Sequence, residues 1–436
     1  MKYFIRTFGC QMNQHDSEFA AALLEKLNYQ STDILDEADL VLVNTCSIRD
    51  TAEKKIFGFI DSLILRKRLN PNLIVIVIGC MVSKKEKVDE VLKKRTHINL
   101  VLGTRSLDKI PYYLEKLKTE KGPFIDFDLD ENIAEGRIHK REDDFRGYLT
   151  IMYGCDNFCS YCIVPYVRGR EKSRDLQDIL NEAQLLVADG VKEITLLGQN
   201  VNSYGKGLPD DANFAQLLLK MEKIEGLERI RYMTSHPKDF SDEIIAAIED
   251  SPKVCRHFHL PFQSGSSSIL KKMNRHYTKE YYLELMAKIK SKFPNCVLTT
   301  DIIVGFPGET QEDFADTVEI LNTIKFDLAY TFMYSPRKDT PAANMPEQIQ
   351  ESVKKQRLLT LMDVQNKISL EKNLEMIGKT FTLLGEGKSR NNPQVQSGRT
   401  EGNKLVHFEA PKDYTGKILQ VEITKANTWS LKGRLL

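Results

Sequence analysis

Three cysteines near the middle of the chain have a spacing that suits a metal or a metal cluster. Three residues separate Cys155 from Cys159, and two separate Cys159 from Cys162. Thiolates are soft ligands that suit zinc, copper(I) and iron–sulfur clusters. A structural zinc site takes four ligands, and no fourth Cys or His lies nearby in the sequence. The spacing therefore favours a three-thiolate iron–sulfur cluster with one open iron, and the alternative is a zinc knuckle or cysteines that only pack.

Three further cysteines follow strand patterns in the N-terminal part of the chain. Cys10, Cys46 and Cys80 are 36 and 34 residues apart, and each comes after the carboxyl end of a predicted strand. In a parallel sheet those ends lie along one edge, where ligands bind. We therefore expect a second three-thiolate site with an open metal position. The alternative is that the three are buried packing residues, which is common for cysteine.

Strands and helices are predicted to alternate along the first 120 residues, and they must position this second set of cysteines. Strands are predicted at 3–8, 40–43, 73–78 and 100–102, and helices at 17–27, 50–68, 83–94 and 107–117. We expect Asp16 or Ser17 to cap the first helix. Such an alternation predicts an open parallel α/β sheet with helices on both faces, a domain over residues 1–120. Residues 121–140 are acidic and lack a sustained period, which predicts a linker.

The central part, residues 141–370, repeats strand and helix patterns six times. Strands are predicted near 149–153, 193–197, 229–233, 258–261, 297–304 and 329–334. Six units fall short of the eight of a closed barrel, so we predict an open, partial (β/α)6 barrel. Its working face would be the carboxyl ends of the strands, where the Cys155 loop follows the first strand. Polar residues of the other strands and their ends include Gln199, Ser235 and Gln263, which follow strands, and Asp301, which lies within the fifth strand.

The tail changes character after a helix predicted at 347–376. Short strand patterns at 380–384, 405–407, 418–423 and 431–435 predict a small all-β barrel over residues 371–436. Residues 378–436 hold ten Lys or Arg and five Asp or Glu. With Phe408 and Trp429, this basic excess suits a nucleic acid through phosphate contacts. The alternative is an ordinary solvated face.

Composition narrows the class of protein. The chain has 436 residues, 41% of them hydrophobic, and a net charge of +1, so any nucleic-acid surface must be local. No signal-peptide pattern or bilayer-length apolar run is present in the sequence, which predicts a cytoplasmic protein without a membrane partner, whose thiols stay reduced. Cys255 and Cys296 fit no ligand spacing and are predicted to be structural.

Several motifs together resemble the radical S-adenosylmethionine (SAM) methylthiotransferase family over essentially the whole chain. The central run of three cysteines, with Tyr161 before the last, resembles the radical SAM motif. The segments 7–13, 16–18, 44–46 and 79–80 resemble the N-terminal domain of these enzymes, and 397–404 resembles the TRAM domain, an RNA-binding module. The domain order is also that of the family.

The resemblance implies two 4Fe-4S clusters and SAM as cofactors. Cys155, Cys159 and Cys162 would hold the cluster that cleaves SAM to a radical, and Cys10, Cys46 and Cys80 the auxiliary cluster that presents sulfur. The residues expected to contact SAM are Tyr161, Gln199, Ser235, Gln263 and Asp301. The residues expected to contact RNA are Arg399, Lys404 and His407. The activity implied is that of a transferase of sulfur-containing groups.

The segment Gln11-Met12-Asn13 resembles the branch that adds methylthio to carbon 2 of N6-isopentenyladenosine at tRNA position 37. Related branches modify threonylcarbamoyl-adenosine in tRNA or a ribosomal-protein aspartate, and both stay open as alternatives. A metal-bearing RNA-binding protein without catalysis is the non-enzyme alternative. The expected partners are the tRNA anticodon loop and an electron donor such as flavodoxin or ferredoxin, and we expect a monomer.

Overall fold

A computed structural model describes residues 1–47, 50–127, 140, 141, 143–209, 212–389 and 392–436. The chain forms two compact units. Unit 1 comprises residues 1–143, 148–156 and 163–172, and unit 2 comprises 144–147, 157–162 and 173–436. No helix in the described part of the chain is both long and apolar enough to cross a membrane.

Unit 1 contains a six-stranded sheet in which every neighbouring pair of strands is parallel. Its strands are β1 (Lys2–Thr7), β2 (Gln30–Ser31), β3 (Leu40–Thr45), β4 (Ile74–Gly79), β5 (Leu100–Leu102) and β6 (Phe124–Asp126). The order is β2-β1-β3-β4-β5-β6. Val75 and Val77 belong to one apolar cluster, and Ile76 and Ile78 to another. Successive residues of β4 therefore enter two cores, one on each face, as a continuous apolar run predicts.

The helices of unit 1 are α1 (Gln11–Lys26), α2 (Asp50–Leu69), α3 (Lys85–Lys94), α4 (Ile110–Lys116) and the short α5 (Val164–Arg168). The predicted start of α1 is wrong, because the helix begins at Gln11 and Cys10 is its N-cap. Asp16 and Ser17 are buried inside it rather than capping it. Ser17 Oγ lies 2.8 Å from Thr7 Oγ1. Ser17 therefore contacts the end of β1, and its polar side chain was mistaken for a helix cap.

The predicted linker 121–140 contains a strand. Residues 124–126 form β6, which pairs in parallel with β5. Asp126 accepts hydrogen bonds from Ser106, Lys109 and Tyr113 at 2.6, 2.8 and 3.0 Å. An edge strand of three residues is too short to show a period, which explains why the pattern was missed. The remainder of the predicted linker lies largely outside the described residues.

Eight strands follow in the described part of the chain up to residue 333, and two of them are very short. They are β7 (Arg146–Thr150), β8 (Met152–Tyr153), β9 (Lys172–Ser173), β10 (Glu193–Leu197), β11 (Arg229–Tyr232), β12 (His257–His259), β13 (Val297–Val304) and β14 (Leu328–Met333). The longer six form two three-stranded sheets, ordered β11-β10-β7 and β12-β13-β14, and the boundary between the units falls within β7. The pairs β10–β11, β12–β13 and β13–β14 are parallel. All six predicted central strands are therefore present.

The helices of unit 2 lie between these strands and after them. They are α6 (Leu176–Ala188), α7 (Phe214–Glu222), α8 (Asp242–Glu249), α9 (Ser267–Lys272), α10 (Lys279–Lys292), α11 (Gln311–Ile324) and α12 (Glu351–Leu374). Several begin at a side-chain cap, such as Asp175, Ser241 and Thr278. Thr310 and Asp313 form a reciprocal capping box at α11. These caps define where the helices begin.

The tail forms a closed barrel of five strands. They are β15 (Thr380–Ser389), β16 (Asn392–Thr400), β17 (Leu405–Glu409), β18 (Ile418–Ala426) and β19 (Leu431–Leu435), and the order is β15-β16-β17-β19-β18. Its core includes Leu383, Val406 and Phe408. The role expected of Phe408 in RNA binding is corrected, because this ring is only 2% exposed. Strand β16 was missed since Gly, Asn and Ser interrupt its apolar pattern. The predicted fold class is confirmed in all three parts.

Buried arginines attach the barrel to the central sheet within unit 2. Arg229 donates to the carbonyl oxygens of Arg399 and Thr382 at 3.0 and 2.8 Å. Arg231 donates to the carbonyl oxygens of Thr400 and Glu401 at 2.8 and 2.6 Å. Charged donors strengthen such bonds. The barrel is therefore fixed to the side of the core, whereas the domain boundary at 370/371 stays a prediction.

Candidate functional site

The structure brings Cys10, Cys46 and Cys80 to the same edge of the unit 1 sheet. Each follows one of three adjacent strands, β1, β3 and β4, at its carboxyl end. A Cβ built on Gly9 would lie 3.1 Å from the Cβ of Cys46, so the segments after β1 and β3 nearly touch. Cys46 and Cys80 are buried, and Cys10 is exposed. The set thus combines two protected thiols with one at the surface.

The electrostatics of Cys80 reflect this crowding. Burial raises the pKa of the Cys80 thiol to about 12, although the Arg168 guanidinium acts against the rise. The thiols of Cys10 and Cys46 raise the pKa further when ionised, as does Asp16. Without a metal, Cys80 is therefore a neutral thiol at pH 7. A metal or cluster must displace its proton, because thiolates are the ligating form.

A buried amide network holds two of the cysteine segments together. Asn13 Nδ2 donates to Asn44 Oδ1 at 2.8 Å and to the carbonyl oxygen of Thr45 at 2.9 Å. Asn44 Nδ2 donates in return to the carbonyl oxygen of Asn13 at 2.7 Å. Both side chains are fully buried. These bonds tie the start of α1, next to Cys10, to the end of β3, next to Cys46.

Gly79 must be glycine for the chain to turn into Cys80. Its φ is +103°, and a Cβ there would overlap the carbonyl oxygen of Thr45. We expect Gly79→Ala to lower the free energy of unfolding by about 1–3 kcal/mol from backbone strain alone. Gly58→Ala is the matched control, because Gly58 lies in α2 with nothing within 4 Å of its added Cβ. That variant should be stabilised by up to about 1 kcal/mol through helix propensity.

Urea unfolding monitored by circular dichroism would measure both changes. Equal effects of the two substitutions would contradict the requirement for glycine at position 79.

The donor set of this edge is of the kind that iron–sulfur clusters take, because its three thiols are soft donors. Among the described residues, no group of three or more His, Cys, Asp or Glu side chains has an arrangement that could hold one metal ion.

The loop from Cys155 to Cys162 crosses from unit 1 into unit 2. In unit 1, the Cys155 amide donates to the carbonyl oxygen of Gly169 at 3.2 Å. In unit 2, the Cys162 amide donates to the carbonyl oxygen of Cys159 at 2.9 Å, which closes a tight turn. Cys159 is buried, whereas Cys155 and Cys162 are partly exposed. The local turn gives the last two thiols a common environment.

Residues that follow β12 support this turn from within unit 2. Asn274 Nδ2 donates to the carbonyl oxygens of Asn157 and Phe158 at 3.1 and 3.0 Å. Arg275 Nη1 lies 3.6 Å from Cys159 Sγ, and its Nη2 donates to the carbonyl oxygen of Pro261 at 2.6 Å. Arg275 was not among the site residues predicted from the sequence. Its 4% exposure and its cysteine contact show it to be a fixed cation beside the loop.

The five residues predicted to contact SAM lie in unit 2 in different surroundings. Ser235 is buried, and its hydroxyl has no hydrogen-bond partner within the described part of the chain. Gln263 is buried with a φ of +65°, Asp301 Oδ1 lies 3.6 Å from His259 Nε2, and Gln199 is half-buried. Tyr161 packs beside Phe306 and Tyr334, and burial raises the pKa of its hydroxyl. Among these five residues, Ser235 has the strongest support as a SAM contact, because a buried hydroxyl without a hydrogen-bond partner destabilises the folded protein unless a ligand satisfies it.

His236, the neighbour of Ser235, was not among the residues expected from the sequence to contact SAM. Its Nδ1 accepts from the Lys238 amide at 3.3 Å, and its Nε2 is a second buried atom without a partner among the described residues. Burial lowers the pKa of the His236 imidazole far below its usual value. The ring is thus neutral, with its proton on Nε2. The sequence signal that could have identified His236 is its position in the segment that follows β11.

The residues predicted to contact RNA are mostly engaged within unit 2. Arg399 Nε pairs with Glu386 Oε1 at 3.0 Å. Lys404 Nζ pairs with Asp327 Oδ1 at 2.8 Å and donates to Asn373 Oδ1 at 2.6 Å. His407 is half-buried. RNA contact by these residues stays a prediction, and the intramolecular partners of the two cations favour a structural role for them.

Lys404 offers a test of that structural role. Its side chain is 12% exposed and that of Asp327 is 7% exposed. We expect Lys404→Met to destabilise unit 2 by about 3–5 kcal/mol, because it leaves a buried carboxylate without its cation. Lys425→Met, at an exposed position of the same barrel, should change stability little. Denaturant unfolding would measure both, and native stability with weakened tRNA binding in Lys404→Met would instead support an RNA contact.

Three family models match successive parts of the chain. They are the uncharacterized protein family UPF0004 over residues 2–103, the radical SAM superfamily over 149–321 and the TRAM domain over 374–436. Among solved structures, the radical SAM methyltransferase TsrM from Kitasatospora setae has a TM-score of 0.58 at 14% identity, over 78% of this chain and 75% of that chain. At this identity the likeness concerns the fold alone.

Sequence similarity to curated relatives extends along the whole chain. A tRNA-2-methylthio-N(6)-dimethylallyladenosine synthase from Acetivibrio thermocellus is 51% identical over 435 residues, which cover 100% of this chain and 91% of that protein. The protein of the same name from Clostridium novyi is 51% identical over 436 residues, covering 100% and 96%. The chain therefore belongs to the tRNA-2-methylthio-N(6)-dimethylallyladenosine synthase family of radical SAM tRNA methylthiotransferases.

Proposed function

We propose that this enzyme adds a methylthio group to carbon 2 of N6-isopentenyladenosine at position 37 of tRNA, using two 4Fe-4S clusters and two molecules of SAM. The observation that carries the proposal is the meeting of Cys10, Cys46 and Cys80 at one sheet edge, separate in sequence from the Cys155–Cys162 loop. When bound, one cluster would supply the electron that cleaves SAM, and the other would carry the sulfur to be methylated. Two tasks thus correspond to two three-thiol sets.

Cys10, Cys46 and Cys80 are proposed to hold the auxiliary cluster. Three thiolates leave one iron without a protein ligand, and an open iron is what sulfur transfer needs. The exposure of Cys10 supports this role, because one side of the set must remain accessible to a substrate. Burial of the other two thiols would shield the remaining irons from water.

Cys155, Cys159 and Cys162 are proposed to hold the radical SAM cluster on the grounds of their spacing. Tyr161, Gln199, Ser235, Gln263 and Asp301 are the proposed SAM contacts. The unpaired Ser235 hydroxyl is the strongest structural support, because a ligand oxygen or nitrogen would satisfy it. Neutral His236 could donate from Nε2 to the same ligand.

The proposed tRNA partner contacts the basic TRAM barrel through its phosphates, and its anticodon loop presents an unstacked base to the enzyme. Arg399, Lys404 and His407 remain the proposed contacts, although the first two already have protein partners. Bases of single-stranded loops can be splayed out for chemistry. We further propose a monomer in the cytoplasm that receives electrons from a flavodoxin or ferredoxin.

The nucleoside profile of tRNA tests the proposed substrate. Bulk tRNA from a strain lacking this enzyme should retain N6-isopentenyladenosine and lose its 2-methylthio form, as measured by liquid chromatography and mass spectrometry. Expression of the wild-type chain should restore the product. Loss of methylthio-threonylcarbamoyl-adenosine, or of a methylthio group on a ribosomal-protein aspartate, would assign the enzyme to another branch.

A further inference from the structure

One buried arginine touches the first set of cysteines from a distant part of the chain. Arg168, the last residue of α5, is 5% exposed and lies in unit 1 with those cysteines. Its Nε donates to Cys80 Sγ at 3.1 Å. Its Nη2 donates to Asp16 Oδ2 at 3.0 Å and lies 3.4 Å from Asn13 Oδ1. The guanidinium is therefore held by three acceptors, one of which is a proposed cluster ligand.

The guanidinium of Arg168 is shared between a carboxylate and a thiol. Asp16 is buried, at 6% exposure, and accepts from Nη2, whereas Nε is directed at the sulfur of Cys80. Arginine stays protonated in proteins. A buried positive charge and an N–H donor therefore both lie next to this sulfur.

A hydrogen bond to a cluster sulfur has a known electronic consequence. Net charge, hydrogen bonds to sulfur and solvent exposure set the reduction potential of iron–sulfur clusters. A positive charge and an N–H donor both stabilise the more negative, reduced cluster. Ligand-supporting residues of this kind also fix the orientation of the ligand. Arg168 has the position to do both.

We propose that Arg168 is a positioning residue that holds Cys80 and raises the reduction potential of the cluster at Cys10, Cys46 and Cys80. The inference rests on the proposed function, because it assumes that these cysteines hold a cluster. Arg168 then sets a property of the cluster that presents sulfur, in addition to forming an ion pair with Asp16. Asp16 then acts in the opposite sense, since its negative charge offsets the guanidinium.

The experiment compares potentials in full-length chains that carry only this cluster. Substitution of Cys155, Cys159 and Cys162 by alanine provides the background, and anaerobic reconstitution followed by iron analysis checks loading. The midpoint potential is then read by electron paramagnetic resonance during stepwise reduction with dithionite. We expect Arg168→Gln to shift the potential downward and Arg168→Lys to stay closer to the parent. Asp16→Asn should leave the potential unchanged or shift it upward.

A matched control is Arg95→Gln. Arg95 is a buried arginine of the same unit that pairs with Asp61 and lies over the ring of Phe57. It should leave the potential unchanged while lowering stability. Since a merely structural role would disturb the site similarly in Arg168→Gln and Asp16→Asn, downward shifts in both would overturn the proposal.

The remaining outcomes are also decisive. An unchanged or raised potential in Arg168→Gln overturns the inference and leaves the proposed cluster assignment intact. If Arg168→Gln retains no iron, the variants Arg168→Lys and Asp16→Asn decide the question. Iron retained by both, with a potential of Asp16→Asn that is not lowered, supports the inference. Any other result overturns it. A background chain that binds no iron would instead refute the assignment of the three cysteines.

Discussion

Replacing Cys10, Cys46 and Cys80 together by alanine is expected to abolish methylthio transfer while SAM cleavage continues. The reconstituted wild-type chain should contain about eight iron atoms, and the variant about four, because one of two 4Fe-4S clusters loses its ligands. The remaining cluster would still reduce SAM. Iron analysis, the yield of 5′-deoxyadenosine and the yield of methylthiolated tRNA measure the three effects separately.

The control for this variant is Cys255→Ala. Cys255 is 2% exposed, compared with 4% for Cys46 and Cys80, so the loss of a buried thiol is matched. It should retain about eight iron atoms and full transfer. Methylthio transfer by the triple variant would refute the auxiliary role, whatever its iron content.

Replacing Cys155, Cys159 and Cys162 by alanine is expected to eliminate SAM cleavage and, as a consequence, all product. Carbon 2 of adenine carries no acidic proton for a general base to remove, so no route remains without the radical. The variant should keep about four iron atoms on the first cysteine set. Anaerobic assays with dithionite would measure 5′-deoxyadenosine, and its continued formation would refute the assignment of the radical cluster.

The control for the second variant is Cys296→Ala. Cys296 is a partly exposed cysteine of unit 2 whose thiol pKa is raised by burial to about 12, which marks it as a neutral packing group at pH 7. It should leave SAM cleavage unchanged. Only the variant at Cys155, Cys159 and Cys162 should lose SAM cleavage, whereas both triple variants should lose the methylthiolated product.

Much of the fold was predictable because its signals are local. The apolar run in β4 and the alternation of strand and helix patterns specify a parallel sheet whatever the rest of the chain does. Cys10, Cys46 and Cys80 could then be placed at one edge by topology alone. Among the strands that were missed, β2, β6 and β9 are two or three residues long and β16 is interrupted by glycine, so their local patterns are too weak to detect.

The sequence by itself determined the type of chemistry, because the spacing of Cys155, Cys159 and Cys162 is contained within one loop. Only the tertiary structure decided which charges surround the other set. Arg168 reaches Cys80 across 88 residues and Asp16 across 152. It likewise decided that Lys404 pairs with Asp327 rather than pointing into solvent. Such partners meet only after the strands have paired and the helices have packed, and no spacing along the chain encodes them.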